Sequence, residues 1–279
     1  MYDKSLRKVQ LVQLEIAKEV KNICEKNNIN YFLDSGTMLG AVRHGGFIPW
    51  DDDLDIGMLR KDYDKFLSIA QKELGEKYFL QNWMTDDDFP FSFSKIRKNN
   101  TLYVEEGSKK ASMHKGIFID IFPYDIFPED MEIRENQKRV LKKRKRELLM
   151  KNNFTPWNTQ NGIKKVMFYF GYLPIRLKIL FLSRKKLIKK CEEIIEFGNS
   201  ENKYEYYYSQ AGSGEYGKYI VKKECLDNLE YIKFEDTLFL GPSDFDKYLK
   251  GFYGDYMKLP PEKERYDRHK ILELKFNND

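Results

Sequence analysis

Apolar residues near the start of the chain recur every three or four positions, which is the spacing of one face of a helix. They are Val9, Val12, Ile16, Val20 and Ile23. This pattern predicts an amphipathic helix over residues 5–27. The same spacing returns at about residue 62 and predicts a second helix that ends near Gly75.

Short apolar runs bounded by turn residues lie between and after these two helices. They predict strands at residues 31–33, 53–58, 78–80, 91–96 and 117–122. Helices and strands that follow one another in this way favour a layered structure of sheet and helix. We therefore expect an α/β (α+β) fold with a mixed sheet at its core and helices flanking it.

The chain changes character near residue 130. Long, basic helical patterns cover residues 130–150 and 163–197, and the segment YIKFEDTLFL predicts a later hairpin. A short helix follows and is broken by a pair of prolines. These changes predict a core (1–130), a basic helical region (131–200) and a C-terminal segment (201–279) that packs back on the core.

Charge separates the basic region from the rest of the chain. Between Arg134 and Lys190 there are 18 Lys or Arg residues and two acids, whereas the whole chain carries only +5. Such a region is typical of proteins that bind a polyanion or an anionic membrane. Its apolar residues, interrupted by Pro174 and Arg176, favour a helix lying at a membrane surface. The alternative is that these side chains pack into the core while the charges solvate it.

Composition excludes several classes of protein. Aromatic residues make up 15% of the chain, enough for a substantial core and too many for a disordered chain. No run approaches the roughly 18 to 20 apolar residues of a spanning helix, and the charged N-terminal segment lacks a signal-peptide pattern. Three separated cysteines without a CxxC pair exclude a disulfide framework and a zinc ribbon. We expect a protein on the cytoplasmic side of the membrane.

The candidate chemistry centres on Asp53 and Asp55. On a strand, alternation would place both carboxylates on one face and turn Leu54 and Ile56 into the core. Neighbouring carboxylates raise each other's pKa unless a cation lies between them. Mg²⁺ is typically held by one or two carboxylates together with substrate phosphates. The alternative is a solvated acidic turn, which the interleaved apolar residues disfavour.

Two further elements fit the same chemistry. Ser35-Gly36-Thr37 follows a short strand and begins a helical pattern, and backbone N–H groups at a helix start bind phosphate. Asp120 lies between two isoleucines of a predicted strand, where a buried carboxylate needs a partner. A metal ligand and a general base are both natural roles for Asp120.

Together, the small-residue turn, the paired-Asp strand and the third Asp resemble the nucleotidyltransferase superfamily. More specifically, the segment LDSGTMLGAVRHGGFIPWDDDLDIGM closely resembles the signature of the LicD family. That family contains bacterial phosphocholine transferases and fukutin-type glycan phosphotransferases. The resemblance is specific over residues 31–66 and looser over 94–101, 116–123 and 253–269. The chain departs from the superfamily pattern at Asp52, where an apolar residue is usual.

The resemblance implies roles for individual residues. Asp53 and Asp55 would be the paired ligands of Mg²⁺ or Mn²⁺, and Asp120 the third ligand or the base. The turn of Ser35, Gly36 and Thr37 would lie under the donor phosphates. Further contacts to substrate, or to the loop that holds it, are implied at Arg43, His44, Trp50, Asp51, Lys95, Arg97 and His269.

The implied reaction is transfer of phosphocholine from CDP-choline to a sugar hydroxyl of a cell-surface glycan precursor such as teichoic acid, with release of CMP. A quaternary ammonium group binds aromatic faces, and the chain offers Trp50, Trp83, Trp157, Tyr204, Tyr206, Tyr207 and Tyr208. The acceptor would be lipid-linked and would meet the enzyme at the inner face of the cell membrane. No nucleic acid partner is expected.

Three alternatives remain open from the sequence. One is transfer of another phosphoalkyl group on the same fold: ribitol phosphate, glycerol phosphate or phosphoethanolamine. A second is a nucleotidyltransferase acting on a different substrate. A third is a non-catalytic membrane-binding protein, although the intact set of Asp53, Asp55 and Asp120 argues against loss of activity.

Overall fold

The computed structural model describes residues 4–152, 154, 162–200, 203–210, 220–266 and 271–276. Its α-helices are α1 (Lys4–Lys26), α2 (Ser35–His44), α3 (Arg60–Leu74), α4 (Met131–Lys151), α5 (Gly162–Gly171), α6 (Leu173–Leu180), α7 (Arg184–Ile195) and α8 (Phe245–Tyr253). Its strands are β1 (Phe32–Leu33), β2 (Asp55–Leu59), β3 (Tyr78–Gln81), β4 (Ser94–Lys98), β5 (Leu102–Glu105), β6 (Phe118–Ile126), β7 (Tyr206–Tyr208), β8 (Ile220–Lys222), β9 (Leu229–Phe234), β10 (Thr237–Pro242) and β11 (Ile271–Lys275).

A seven-stranded mixed sheet forms the centre of the molecule. Five strands lie in the order β1-β2-β6-β4-β3, and β7 and β8 extend the sheet from the far end of β6. Strands β2 and β6 run parallel, whereas their other neighbours in the sheet are antiparallel. The last two residues of β6, Asp125 and Ile126, pair with β7. This mixed sheet with flanking helices confirms the predicted fold class.

One face of the sheet is apolar and is covered by α1 and α3. Its fully buried residues include Ile56, Ile96, Ile119 and Ile121, which share one core cluster with side chains of both helices. Successive residues of a strand point to opposite faces. Asp120, between Ile119 and Ile121, and Asp55, next to Ile56, therefore lie on the other face.

The first helix and the hairpin follow the prediction closely. Helix α1 spans Lys4–Lys26 and buries most of the predicted apolar stripe, while Val12 is half-buried. Helix α3 ends at Leu74, with Gly75 as its C-cap at a φ of +63°. Strands β9 and β10 form the predicted antiparallel hairpin. Periodic spacing was sufficient for these elements because each packs one clear face on the core.

The expectation that Asp53 lies on a strand is wrong. Strand β2 begins at Asp55, and Asp53 belongs to the segment that leads into it. The reason is local, because side chains rather than a strand bond the backbone on either side of Asp53. The Asp52 carbonyl accepts from the Gln13 side chain at 2.8 Å, and the Asp55 N–H donates to the Thr37 hydroxyl oxygen at 2.8 Å. Leu54 and Ile56 are fully buried, as alternation predicted.

The helical pattern at 163–197 forms three helices rather than one. Helix α5 ends at Gly171, Pro174 lies in the first turn of α6, and Ser183 is the N-cap residue of α7. Proline at a helix start cannot continue a preceding helix, because it lacks an N–H donor. No helix of the described residues is both long and apolar enough to cross a membrane. The three cysteines are buried and unbridged.

Candidate active site

A row of polar side chains crosses the sheet on the face opposite α1 and α3. Asp55 of β2 is in register with Asp120 of β6, which is in register with Lys95 of β4. Residues in register on neighbouring strands point to the same face. The ammonium of Lys95 lies 2.7 Å from Oδ1 of Asp120, and both side chains are nearly fully buried. The fold therefore brings together three of the predicted site residues.

Asp55 lies in a strongly negative environment. Burial, followed by the charges of Asp53, Asp120, Asp34 and Asp51, raises the pKa of Asp55 well above its ordinary value. A nearby cation would favour the ionised carboxylate and offset this repulsion. The electrostatics of the site therefore match the binding of a cationic group next to Asp55.

The carboxylate oxygens of the site fit a hard divalent cation that is bound partly by the protein and partly by the substrate. Among the described residues, no three His, Cys, Asp or Glu side chains are close enough to hold a metal ion by themselves, and Asp120 is engaged by Lys95. Asp53 and Asp55 would supply two carboxylates, and phosphate oxygens of the donor the remaining ligands. The arrangement is thus compatible with Mg²⁺ or Mn²⁺ bound together with a nucleotide.

The acidic loop before β2 is held by helix α1. The side-chain amide of Gln10 donates to the carbonyl of Asp51 at 2.9 Å, and that of Gln13 to the carbonyl of Asp52 at 2.8 Å. The buried carboxylate of Asp52 accepts a hydrogen bond from the Tyr103 hydroxyl at 2.7 Å. Because this partner satisfies it, Asp52 can stand where the superfamily pattern has an apolar residue.

The turn of Ser35, Gly36 and Thr37 begins helix α2, directly beside the acidic residues. The Asp34 carbonyl accepts from the N–H of Thr37 at 2.9 Å, and the Thr37 hydroxyl ties the turn to the start of β2. A Cβ atom on Gly36 would lie 3.2 Å from Oδ2 of Asp51. The turn therefore presents a helix N-terminus next to the carboxylates, which is where a phosphate and its cation would both bind.

A buried hydroxyl network under this turn was not predicted from the sequence. Oδ1 of Asp34 accepts hydrogen bonds from the hydroxyls of Tyr248 at 2.5 Å, Tyr124 at 2.7 Å and Ser35 at 3.0 Å. The Tyr248 hydroxyl in turn accepts from the Ser35 N–H at 3.1 Å. Burial raises the pKa of Asp34, although these hydrogen bonds oppose the shift. The network holds Ser35 at its left-handed φ of +44°.

Close packing against β2 supports the same network. The Phe32 ring meets Tyr124 and Tyr248 edge-on, with centroids 5.2 and 6.4 Å away. Phe32 lies over Gly57, where a Cβ atom would come within 2.3 Å of the ring. Only glycine leaves room for the ring at this position. An Asp before a helix start is a common N-cap signal, but nothing local in the sequence points to Tyr248.

Arg43, His44 and Trp50 form a cluster at the end of α2. Arg43 donates to the carbonyl of Tyr256 at 2.8 Å and to Nε2 of His44 at 3.0 Å. The His44 ring lies edge-on to Trp50, and the Arg265 guanidinium lies 5.6 Å above the Trp50 ring. Burial and the charge of Arg43 lower the pKa of His44. The face of Trp50 therefore already contacts one cation.

The remaining predicted contacts are distributed over the molecule. Arg97 is fully buried, where it donates to the Gln81 side chain and, at 2.7 Å, to the Gly116 carbonyl. Burial lowers its pKa to about 10. Tyr204 and Tyr208 are buried in the core, and Trp83 lines a pocket beside α3 and α7. His269 and Trp157 lie outside the described residues.

Comparison with known proteins is consistent with this geometry. The family described as LicD/FKTN/FKRP, nucleotidyltransferase domain, matches residues 28–165, which contain the turn, the acidic loop, β2 and β6. The lipopolysaccharide cholinephosphotransferase LicD of Haemophilus influenzae is 31% identical over 277 residues, which cover 95% of this chain and 96% of that protein. This chain belongs to the LicD family.

Two mouse relatives match shorter parts of the chain. The ribitol 5-phosphate transferase FKRP is 30% identical over 93 residues, or 33% of this chain and 19% of that protein. The ribitol-5-phosphate transferase FKTN is 32% identical over 87 residues, or 31% of this chain and 18% of that protein. The resemblance inferred from the sequence is thereby confirmed, and so is the expectation of a phosphotransferase.

Proposed function

We propose that this LicD-family enzyme transfers phosphocholine from CDP-choline to a sugar hydroxyl of a cell-surface glycan precursor, such as teichoic acid or another polysaccharide, and releases CMP. The observation that carries the proposal is the position of Asp55 and Asp120, in register on one sheet face beside the first turn of α2. Similarity to a cholinephosphotransferase over nearly the whole chain supports choline as the transferred alcohol.

In the proposed reaction, most of the catalysis comes from aligning the reactants and stabilising the charge of the donor phosphates. Phosphoryl transfer depends mainly on alignment and on stabilising the charge of the phosphate oxygens. The first turn of α2, open at Gly36, would bind the donor phosphates through backbone N–H groups. Asp53 and Asp55 would hold Mg²⁺ or Mn²⁺, which neutralises phosphate charge when it is bound.

Asp120 is the proposed general base. The ammonium of Lys95, at 2.7 Å, fixes one oxygen of its carboxylate on the sheet face that carries Asp55. A base must lie within hydrogen-bonding reach of the proton it accepts, and this row would place Asp120 beside an acceptor hydroxyl aligned with the donor phosphate. Acting instead as a third metal ligand, Asp120 would have to leave Lys95.

A second candidate is transfer of ribitol phosphate, because two relatives that match about a third of this chain carry that name. Glycerol phosphate and phosphoethanolamine remain alternatives of the same kind. Each would use the same carboxylates and the same phosphate turn. The choice of donor therefore has to be tested by direct comparison of the alcohols.

Calorimetric titration with CDP-choline, CDP-ribitol and CDP-glycerol, each with Mg²⁺, tests the donor. We expect the tightest binding for CDP-choline. A clear preference for CDP-ribitol or CDP-glycerol would contradict choline as the transferred group.

A further inference from the structure

Helix α5 exposes the side chains that an amphipathic helix normally buries. Its residues at positions i, i+3, i+4 and i+7 share one face. These side chains are 80, 54, 68 and 64% exposed, in the order Ile163, Val166, Met167 and Phe170. None of the residues of α5 is buried. The alternative that these side chains pack into the core is therefore wrong for this helix.

Helix α6 divides its apolar residues between two directions. Ile179 is buried and packs with Met150 of α4, which fixes the inner side of the helix. A separate stripe, also spaced as one helix face, is 40, 54 and 71% exposed at Leu173, Leu177 and Leu180. Phe181 follows at the end of the helix and is 90% exposed. We call the exposed stripes of α5 and α6, with Phe181, the exposed apolar face.

The charged residues of the segment that carries this face are all basic, and of these Lys178 pairs with Glu147 of α4. Residues 162–190 contain no Asp or Glu, and their nine basic residues are Lys164, Lys165, Arg176, Lys178, Arg184, Lys185, Lys186, Lys189 and Lys190. Lys164 and Lys165 are exposed on α5 itself and form no ion pair with the residues that the structure describes. An occupant of this face must therefore be apolar in its interior and negatively charged at its surface.

We infer that the exposed apolar face docks on the surface of an anionic lipid bilayer. An apolar helix face bordered by lysines, with aromatic side chains among the apolar ones, is the pattern of helices that lie in the bilayer interface. Helices α5 and α6 have ten and eight residues, too short for the roughly 20 needed to cross the hydrocarbon core. They would lie in the plane of the membrane and insert only the apolar side chains.

The inference is independent of the donor and of the transfer reaction. The exposed apolar face contains none of the residues assigned to the active site. If it holds, the enzyme meets its acceptor at a lipid surface, which suits a lipid-linked glycan. Vesicle binding and CMP release are separate measurements, so one proposal can fail while the other stands.

Flotation of the purified protein with vesicles tests the inference. We expect the protein to float with vesicles of phosphatidylcholine and phosphatidylglycerol at low salt, and far less with phosphatidylcholine alone or at high salt. Lys164→Gln with Lys165→Gln should lower the partition coefficient about 25-fold, since each charge near an anionic surface contributes about fivefold. Met167→Ser with Phe170→Ser should lower it about tenfold or more for each side chain.

Met84→Ser with Met131→Ser is the matched control, because these methionines are 78 and 69% exposed but lie outside the face. The control should bind vesicles as the wild type does, and circular dichroism should show all variants folded. Failure of the wild type to float with anionic vesicles at low salt would overturn the inference, as would equal flotation of the Met167/Phe170 variant. A dimer in sedimentation analysis that this variant dissolves, without vesicle binding, would assign the face to a second copy of the chain instead.

Discussion

Asp34 and Asp120 are carboxylates buried at the sheet, whereas Met167 and Phe170 are apolar side chains that α5 holds in water. Polar side chains are usually exposed and apolar ones buried. The first region buries polar side chains, and the second exposes apolar ones. At the sheet, the protein supplies partners: hydroxyl groups bind Asp34, and Lys95 pairs with Asp120. On α5, the described residues supply no cover for the apolar stripe.

An external partner would complete each of the two regions. Asp55 differs from its buried neighbours because other carboxylates surround it and raise its pKa. The apolar stripe of α5 differs from that of α1 because no core formed by the described residues covers it. In our proposals, a cation with phosphate would complete the first region and an anionic lipid surface the second.

The largest loss of activity is expected from neutralising Asp53 or Asp55. Asp53→Asn or Asp55→Asn should lower kcat by about 10²–10³-fold or more, because each removes a carboxylate that would hold the divalent cation next to the donor phosphates. Asp52→Asn is the matched control in the same loop, since its side chain is committed to Tyr103, and we expect it to stay within a few-fold of wild type. Steady-state CMP release measures all three. More than a few per cent of activity in either of the first two variants would remove that residue from the site.

Breaking the buried ion pair of Lys95 and Asp120 should cause a large loss of unfolding free energy. Lys95→Met leaves a buried carboxylate without its ion-pair partner and should cost about 3–5 kcal/mol of unfolding free energy. Adding Asp120→Asn to Lys95→Met should recover part of this loss, because the uncompensated charge is then removed. Urea unfolding of the two single variants and the double variant measures the coupling. Additive losses would show that Lys95 serves some other contact.

The hydroxyl network should affect donor binding through the turn that it holds. Tyr248→Phe removes the hydroxyl that bonds both Asp34 and the Ser35 N–H, at an expected cost of about 1–3 kcal/mol. We expect the KM for CDP-choline to rise several-fold, with a smaller change in kcat. Tyr231→Phe, which removes an exposed hydroxyl bonded to Glu25, is the control. A loss of stability with an unchanged KM would confine Tyr248 to a structural role.

The smallest effect concerns stability without metal. Because the pKa of Asp55 is raised in the folded protein, its ionisation destabilises the fold at neutral pH. Asp55→Asn should therefore raise the Tm in EDTA, by about 2–4 °C for each kcal/mol of repulsion removed. The gain should shrink as the pH falls from neutral towards the ordinary range of a carboxyl group, where Asp55 becomes protonated. A Tm that falls in the variant at pH 7 would contradict the repulsive environment.

Local spacing was enough to predict the elements with one buried face, such as α1, α3 and the hairpin. It also located the carboxylates, because Leu54 and Ile56 alternate with acids and both are buried. The contact between Asp34 and Tyr248 spans 214 positions of the chain, and no local pattern reports such a distance.

Other features depend on tertiary contacts, which local sequence spacing does not predict. Alternation places Arg97 on the same face as Lys95, but the aromatic ring of Phe118 and the side chain of Gln81 cover it there. The apolar spacing of α5 predicts an amphipathic helix correctly. It does not say whether the stripe meets a core or solvent, since both leave the same pattern in the sequence.

Release of CMP from CDP-choline by the purified enzyme, with and without a glycan acceptor and with Mg²⁺ or EDTA, is the most direct measurement of what the carboxylate site does. We expect CMP to appear when Mg²⁺ and acceptor are both present, phosphocholine to be found on the acceptor, and Asp55→Asn to release almost none. CMP release that persists unchanged in EDTA would contradict the role given to Asp53 and Asp55. A product that retains the nucleotide would contradict phosphocholine transfer itself.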